Sequence, residues 1–463
     1  MMRYDAASCV QMPPIVATLP DTHMTSSDTI FALSSGGLPS GVAVIRISGP
    51  QCFAVLGELC GPVPAPRVAG LRPIRNRNGE QLDTGLALYF PAPASFTGED
   101  CGELQIHGGR AVVASVLRTL SESGLRQAEA GEFTRRAFHN GKLDLIEVEG
   151  LSDLIVAETE MQRRLASEHA AGGLSALYES WAKRLTHARA MIEAELDFAD
   201  EDDVPGSVAD TIWKDMDTLR QEIAKHAEGT GIGEIIRDGL KIVIAGKPNA
   251  GKSSLLNYLT KRDVAIVTDI PGTTRDVITV DLDLNGFAVR FYDTAGIRDT
   301  DEPVEREGIR RARLAMNDAN LVLLLGDEPE TDWDVLRSGH TGPVIRVGTK
   351  ADLRHTEWLD DLPDVMISTR TGEGIDELLS RIRGHLPHLS GAGALALPSR
   401  QRHRLCLEEV ADAIGHALGS HALGLDIQAE YLRLSAVALG RITGATDVEN
   451  LLDVIFSEFC IGK

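Results

Sequence analysis

The stretch Gly246-Lys247-Pro248-Asn249-Ala250-Gly251-Lys252-Ser253 carries the spacing G-x-x-x-x-G-K-S. A strand candidate at residues 241–245 precedes it, and the helical-looking Ser254-Leu255-Leu256-Asn257-Tyr258-Leu259 follows. That is the setting in which this spacing wraps phosphates. Glycines let the backbone approach the anion, and N–H groups at the helix start point at it. Lys252 is placed to reach the β- and γ-phosphates, and the Ser253 hydroxyl to bind Mg²⁺. Asn249, Ala250, Gly251 and Ser254 complete the contacts expected of the loop.

Further elements of a nucleotide site occur in order behind it. Thr268-Asp269-Ile270-Pro271-Gly272-Thr273-Thr274 forms a candidate first switch, with Thr274 expected to complete the Mg²⁺ shell and Arg275 close by. Asp293-Thr294-Ala295-Gly296 ends a strand candidate. Its acid stands behind the metal, and its glycine N–H can meet the γ-phosphate. Thr349-Lys350-Ala351-Asp352 resembles N-K-x-D, in which the Asp accepts guanine N1–H and N2–H, and Ser368-Thr369-Arg370 falls beside the base. The set predicts GTP rather than ATP. Two departures matter. Thr349 replaces the usual Asn that ties the base loop to the phosphate loop; being shorter, it predicts a weaker grip on guanine. Ile297 stands where Ras-like GTPases carry a water-positioning Gln. Hydrolysis must then be organised by another group, such as an arginine finger in trans or a monovalent cation.

The elements that must position these residues fall into three compositions. Residues 28–141 are rich in Gly, Pro and short apolar runs; 41–47 and 85–90 read as strands and 111–120 as a helix, giving an α+β domain. Residues 1–27 read as a disordered extension, with Met24 an alternative start. From residue 142 to 237 the period becomes helical: Leu174, Leu177, Trp181, Leu185, Ala188, Ile192 and Leu196 share one face. Residues 238–385 alternate strand candidates (241–245, 277–284, 289–293, 321–325, 344–347) with helices, the pattern of a doubly wound sheet. Helical periodicity returns over 386–463 through Leu405, Val410, Ile414 and Leu418. The expected fold is therefore multidomain α/β, with a Ras-like P-loop domain inserted into a discontinuous helical domain.

Composition narrows the partners. The formal charge is −22, so the chain is not a general nucleic-acid binder. RNA would be held by local basic runs (Arg135-Arg136, Arg163-Arg164 and Arg402-His403-Arg404) or by a basic partner. Six cysteines stand singly, without C-x-x-C spacing, which fits a reducing cytoplasm rather than a disulfide framework or zinc site. No run reaches the roughly 18 apolar residues of a membrane helix, so no membrane partner is expected.

Around the nucleotide motifs lie Arg46-Ile47-Ser48-Gly49, Ser95-Phe96-Thr97-Gly98-Glu99-Asp100, His107-Gly108-Gly109, Gly131-Glu132-Phe133-Thr134-Arg135-Arg136-Ala137-Phe138 and the terminal Phe459-Cys460-Ile461-Gly462-Lys463. With these, residues 28 to the end resemble the tRNA modification GTPases called MnmE or TrmE. The resemblance implies a folate-binding-like N-terminal domain that forms a homodimer. It implies GTPase domains that meet across their switches with K⁺ in the role of an arginine finger. The K⁺ ligands would be Asn249, Thr268, Ile270 and Thr273. It implies Glu305 as the water-positioning acid, which would otherwise read as an exposed Glu at a helix start.

It further implies a tetrahydrofolate derivative (5,10-methylene- or 5-formyl-) held by Arg46, Glu103, Lys142 and Lys463. Cys460 is either a small buried hydrophobe or a thiolate that adds to uridine C6; its apolar neighbours raise its pKa, which argues against reactivity. The implied partners are tRNA and the flavoprotein MnmG, in a heterotetramer that modifies C5 of the wobble uridine with an aminomethyl-type group. Two rival readings keep the GTPase motifs: a translation-associated switch in ribosome assembly that modifies no RNA, and a folate enzyme whose GTPase domain only regulates. The first would need neither Arg46 and Glu103 nor the terminal run.

Overall fold

The structure is a computed structural model. It describes residues 28–197, 207–262, 264–266, 279–293, 316–329, 331–337, 340–353, 362–389 and 395–446, together with 452, 455–457, 459, 461 and 462. The chain divides into two compact units, one of Met1–Leu143 with Leu452–Lys463 and the other of Asp144–Leu451.

The first unit is built on a six-stranded sheet. Its strands are β1 (Ile30–Leu33), β2 (Ser40–Ser48), β3 (Gly70–Arg75), β4 (Gln81–Phe90), β5 (Cys101–Gly108) and β6 (Arg126–Gln127), in the order β3-β4-β5-β2-β1-β6. Along β2 the side chains alternate, so Ala43, Ile45 and Ile47 are buried while Arg46 lies on the other face. The buried set packs against helices Cys52–Cys60 and Arg110–Glu122 through Leu56, Leu59, Val116 and Leu120. The final residues, expected to extend the second helical segment, belong to this unit instead. They dock against β1 and helix Glu132–His139 through Phe456 and Ile461.

In the second unit the described residues of the five strand candidates of the inserted domain lie in strands; residues 277 and 278 are outside the described residues. β7 (Leu240–Gly246), β8 (Thr279–Leu284), β9 (Phe287–Asp293), β10 (Leu321–Gly326), β11 (Val344–Gly348) and β12 (Val365–Met366) form one sheet in the order β12-β11-β10-β7-β9-β8. Every pair is parallel except β8 with β9. The near-continuous apolar runs of β7 and β10 follow from burial on both faces.

Helices Gly173–Asp197, Ser207–Glu228, Gln401–Gly419 and Leu425–Thr443 share one core, so segments from both sides of the insert close a single bundle. Leu174, Trp181, Leu185, Ala188, Ile192, Val410 and Ile414 occupy it as the periodicity predicts. Leu405 does not; it is exposed, and so is Leu196 near its helix end. Tyr178, fully buried, fills the stripe one turn below Trp181.

Candidate functional site

β7 runs into the phosphate loop at the carboxyl end of the sheet, where open α/β sheets bind ligands. Asn249 and Gly251 take left-handed backbone, with φ of 67° and 92°. Helix Lys252–Leu259 begins directly after these two residues. Lys252 is buried, and its ammonium donates to the carbonyls of Gly246 (2.8 Å) and Lys247 (2.9 Å). The Ser253 hydroxyl donates to Asp293 Oδ2 at 3.1 Å, at the end of β9. A hydroxyl and a buried carboxylate at this spacing are hard oxygen donors suited to Mg²⁺ with phosphate and water completing its shell. Thr274, the second expected Mg²⁺ ligand, lies outside the described residues. A cleft of about 400 Å³ is lined by Asn249, Gly251, Lys252, Ser253, Ser254, Thr349, Lys350 and Thr369.

Thr349 itself ties the base loop to the phosphate loop. Its hydroxyl reaches the phosphate loop and donates to Ala250 O at 2.9 Å, with Gly326 O at 3.4 Å. Gly251 lies beside Thr349, close enough that a Cβ there would be in ordinary contact with it at 3.6 Å. The bond is made to a backbone carbonyl, so a short side chain suffices. Lys350, at φ 56°, extends to Asp327 at 2.6 Å.

Asp352 accepts from the Ser368 hydroxyl at 2.6 Å on Oδ1 and pairs with Arg370 Nε at 2.7 Å on Oδ2. The Ser368 hydrogen bond and the Arg370 charge hold its carboxyl below the ordinary range, so it is ionised and acceptor-only. Ser368 is itself fixed, since Arg370 N and Thr371 N donate to its Oγ. Sequence reading expects Asp352, Ser368 and Arg370 beside the base; their contact with one another is visible only in the structure. Thr268, Asp269, Ile270, Pro271, Gly272, Thr273, Thr294, Ala295, Gly296 and Glu305 lie outside the described residues.

The first unit brings together a second set. Arg46 and Glu103 are directly opposed across β2 and β5, and the guanidinium donates to Glu103 Oε1 at 3.0 and 3.1 Å. Phe96 and the buried Phe133 approach the Arg46 guanidinium at 5.3 and 5.9 Å. The chain end lies near them. Ile461 bridges Ala130, and the Ser34 hydroxyl donates to Gly462 O at 2.6 Å. Gly462 has φ 98°, and a Cβ there would sit 2.1 Å from Leu33 O, so only glycine allows this approach. Ala32 of β1 pairs with Arg46, which puts the docked tail a few residues from the ion pair. A cation, a carboxylate and an aromatic face suit a ligand that joins a planar heterocycle to a carboxylate tail. Lys142 is exposed, its side chain running alongside Gly98. Cys460 and Lys463 lie outside the described residues.

The basic runs are corrected. Arg136 is buried among Asp28, Glu99 and Glu132. Arg402 makes a two-pronged bond to Glu149 at 2.7 and 2.8 Å, and His403 meets the same carboxylate at 2.9 Å. Arg163 pairs with Glu160. Arg136, Arg402 and His403 thus hold the fold, while Arg163, Arg164 and Arg404 stay exposed on helix surfaces.

Comparison with known proteins decides the family. A family model described as the MnmE helical domain matches residues 145–460, and one described as the GTP-binding protein TrmE N-terminus matches residues 29–142. Over 441 residues the chain is 64% identical to a tRNA modification GTPase MnmE of Rhizobium meliloti (strain 1021), covering 95% of this chain and 100% of the relative. The chain belongs to the MnmE family of tRNA modification GTPases. A second member, from Sinorhizobium medicae (strain WSM419), is 63% identical over 442 residues, again covering 95% of this chain and 100% of the relative. Among solved structures, the G domain of the T. maritima FeoB iron transporter aligns with 32% of this chain and 99% of its own, at 26% identity and a TM-score of 0.24. Family membership makes the chain a GTP hydrolase. What sequence reasoning missed in this family's framework is Glu149, whose place beside Arg402 and His403 has no local signal because 253 residues separate the partners.

Proposed function

We propose that this MnmE-family GTPase modifies C5 of the tRNA wobble uridine together with the flavoprotein MnmG. The product would carry a carboxymethylaminomethyl or aminomethyl group, with 5,10-methylene-tetrahydrofolate supplying the carbon. The protein would act in the cytoplasm as a homodimer within a heterotetramer. The observation that supports this reading best is the docking of Gly462 at the end of β1, near the Arg46–Glu103 pair. A ribosome-assembly switch has no use for a chain end fixed there.

Within the nucleotide site, Lys252 would leave the loop carbonyls for β- and γ-phosphate oxygens. Ser253 and Thr274 would hold Mg²⁺, with Asp293 accepting from the Ser253 hydroxyl or from metal-bound water. Mg²⁺ neutralises the charge that grows on the phosphates. Asp352 would select guanine, and Glu305 would orient the attacking water. Asn249, Thr268, Ile270 and Thr273 would offer oxygens to K⁺. In the first unit, Arg46, Lys142 and Lys463 would pair folate carboxylates and Glu103 would accept pterin donors. Arg46 must then share its charge between Glu103 and the ligand. Cys460 would be the candidate nucleophile.

Nucleoside analysis of tRNA from a strain lacking the gene tests the proposal. Wobble uridines without their C5 group are expected, and restoration by the intact gene but not by an Arg46→Ala, Glu103→Ala form. Unchanged wobble uridine in the deletion strain would leave the ribosome-assembly reading standing in its place.

A further inference from the structure

Arg370 occupies the guanine acceptor. Asp352 Oδ1 is taken by the buried Ser368 hydroxyl, and Oδ2 meets Arg370 Nε at 2.7 Å. Guanine presents to such a carboxylate the N–H groups of its N1–C2–N2 edge, and that edge is itself a guanidine fragment. An arginine side chain offers the same planar N–H donors at the same spacing. The pair is lopsided in exposure: the Arg370 side chain is 72% exposed and that of Asp352 10%. One partner is therefore fixed in the wall of the site, while the other reaches in from solvent and can swing out. Thr369, its neighbour, lines the cleft, so the arm starts at the rim of the space the base enters.

We propose that Arg370 is a displaceable stand-in for guanine, holding the Asp352 carboxylate correctly turned until the base enters and competing with the base for Oδ2. This rests on the reading of Asp352 as the guanine acceptor. Nucleotide entry then exchanges one guanidinium edge for another. The cost is small, because exposed ion pairs shift equilibria by about two- to fivefold at most. A residue that merely supported the loop would act in the opposite sense, since its loss would weaken nucleotide binding.

The test measures association rate and affinity of fluorescent GDP by stopped flow on the full-length protein. Arg370→Ala is expected to raise the association rate and tighten binding about two- to fivefold, with Arg370→Lys between it and the wild type. A second background separates this from a general change in charge. Asp352→Asn turns the acceptor into a group that can donate to the xanthine 2-carbonyl, so xanthosine diphosphate should replace GDP as the preferred ligand. There Arg370 has lost its partner, and Arg370→Ala should leave xanthosine diphosphate affinity unchanged. Weaker or unaltered GDP binding by Arg370→Ala overturns the proposal, and so does an equal gain in both backgrounds. If Asp352→Asn brings no preference for xanthosine diphosphate, the base-site reading fails and takes this inference with it.

Discussion

Asn249 shows how one side chain can carry two duties that must be separated before either is tested. Its φ of 67° is a conformation in which Asn is tolerated and most L-residues are strained. Asn249→Ala would therefore disturb the loop as well as remove the carboxamide. Asn249→Gly keeps the backbone free to adopt the turn. If the carboxamide oxygen serves a K⁺ ion between the phosphates, the wild type hydrolyses GTP faster in K⁺ than in Na⁺, and Asn249→Gly loses that preference while GTP affinity stays within about threefold, the loss of one neutral contact. Steady-state turnover in the two salts, with affinity measured separately, checks it; equal wild-type rates in K⁺ and Na⁺ would discard the assignment. The loop itself was legible from spacing alone, because wrapping a phosphate demands glycines and a lysine at fixed intervals. Thr349 was not legible in the same way. Whether its hydroxyl reaches Ala250 depends on how closely two loops pack, 99 residues apart in the chain, and no local pattern reports that.

At the level of elements, the inserted domain rests on two capped helices. Asp144 with Glu147 and Thr159 with Gln162 form capping boxes at the starts of helices Leu145–Val156 and Glu160–Ala170. The second of these helices lends Met161 and Leu165 to the core of the nucleotide domain, and Met161 N donates to Gly286 O in the β8–β9 turn. Behind it, Glu149 binds Arg400, Arg402 and His403 from the far side of the insert. Burial alone would raise the Glu149 carboxyl, but His403 and Arg402 override it and hold it well below the usual range. Arg402 also donates to the last carbonyls of helix Leu425–Thr443, at Arg441 and Ile442.

His169, on helix Glu160–Ala170, meets Leu397 O at 2.9 Å, and burial pushes its pKa down to about 4 despite that bond and Glu149; Arg400 and Arg237 act in the same direction as burial. In the unfolded chain its pKa is near 6.5. Between those values the unfolded state binds a proton that the folded helix refuses. Its contribution to stability is thus full above pH 6.5 and falls as pH drops toward 4. From pH 7 to pH 5 it loses about 2 kcal/mol. His169→Gln can keep a donor to Leu397 O and cannot titrate. Urea unfolding at both pH values should show a smaller pH penalty for this variant; an identical penalty would mean His169 is protonated in the fold.

For the molecule as a whole, charge bears on how tRNA is held. The chain carries 68 acidic against 46 Lys and Arg residues. Two of the arginines that sequence reading offered to RNA are spent inside the fold, Arg136 on Asp28, Glu99 and Glu132 and Arg402 on Glu149, while Arg163, Arg164 and Arg404 are exposed. Their types and clustering were plain in the sequence; their partners were not, because each lies on another element. Counterion release scales with the number of phosphates met by free cations, with a slope of about −0.7 to −0.9 per contact in log affinity against log salt. A protein of this charge, with those arginines committed, should bind tRNA weakly and with a shallow slope on its own. Adding the flavoprotein should steepen the slope and raise the affinity, because the partner must bring the cations. Filter binding of labelled tRNA between about 50 and 200 mM salt, with and without the partner, measures both. Arg402→Ala should lower the unfolding midpoint and leave the slope alone, since it breaks a buried pair rather than a phosphate contact. A steep slope for the isolated chain, reduced by Arg402→Ala, would mean that this arginine leaves Glu149 to reach RNA.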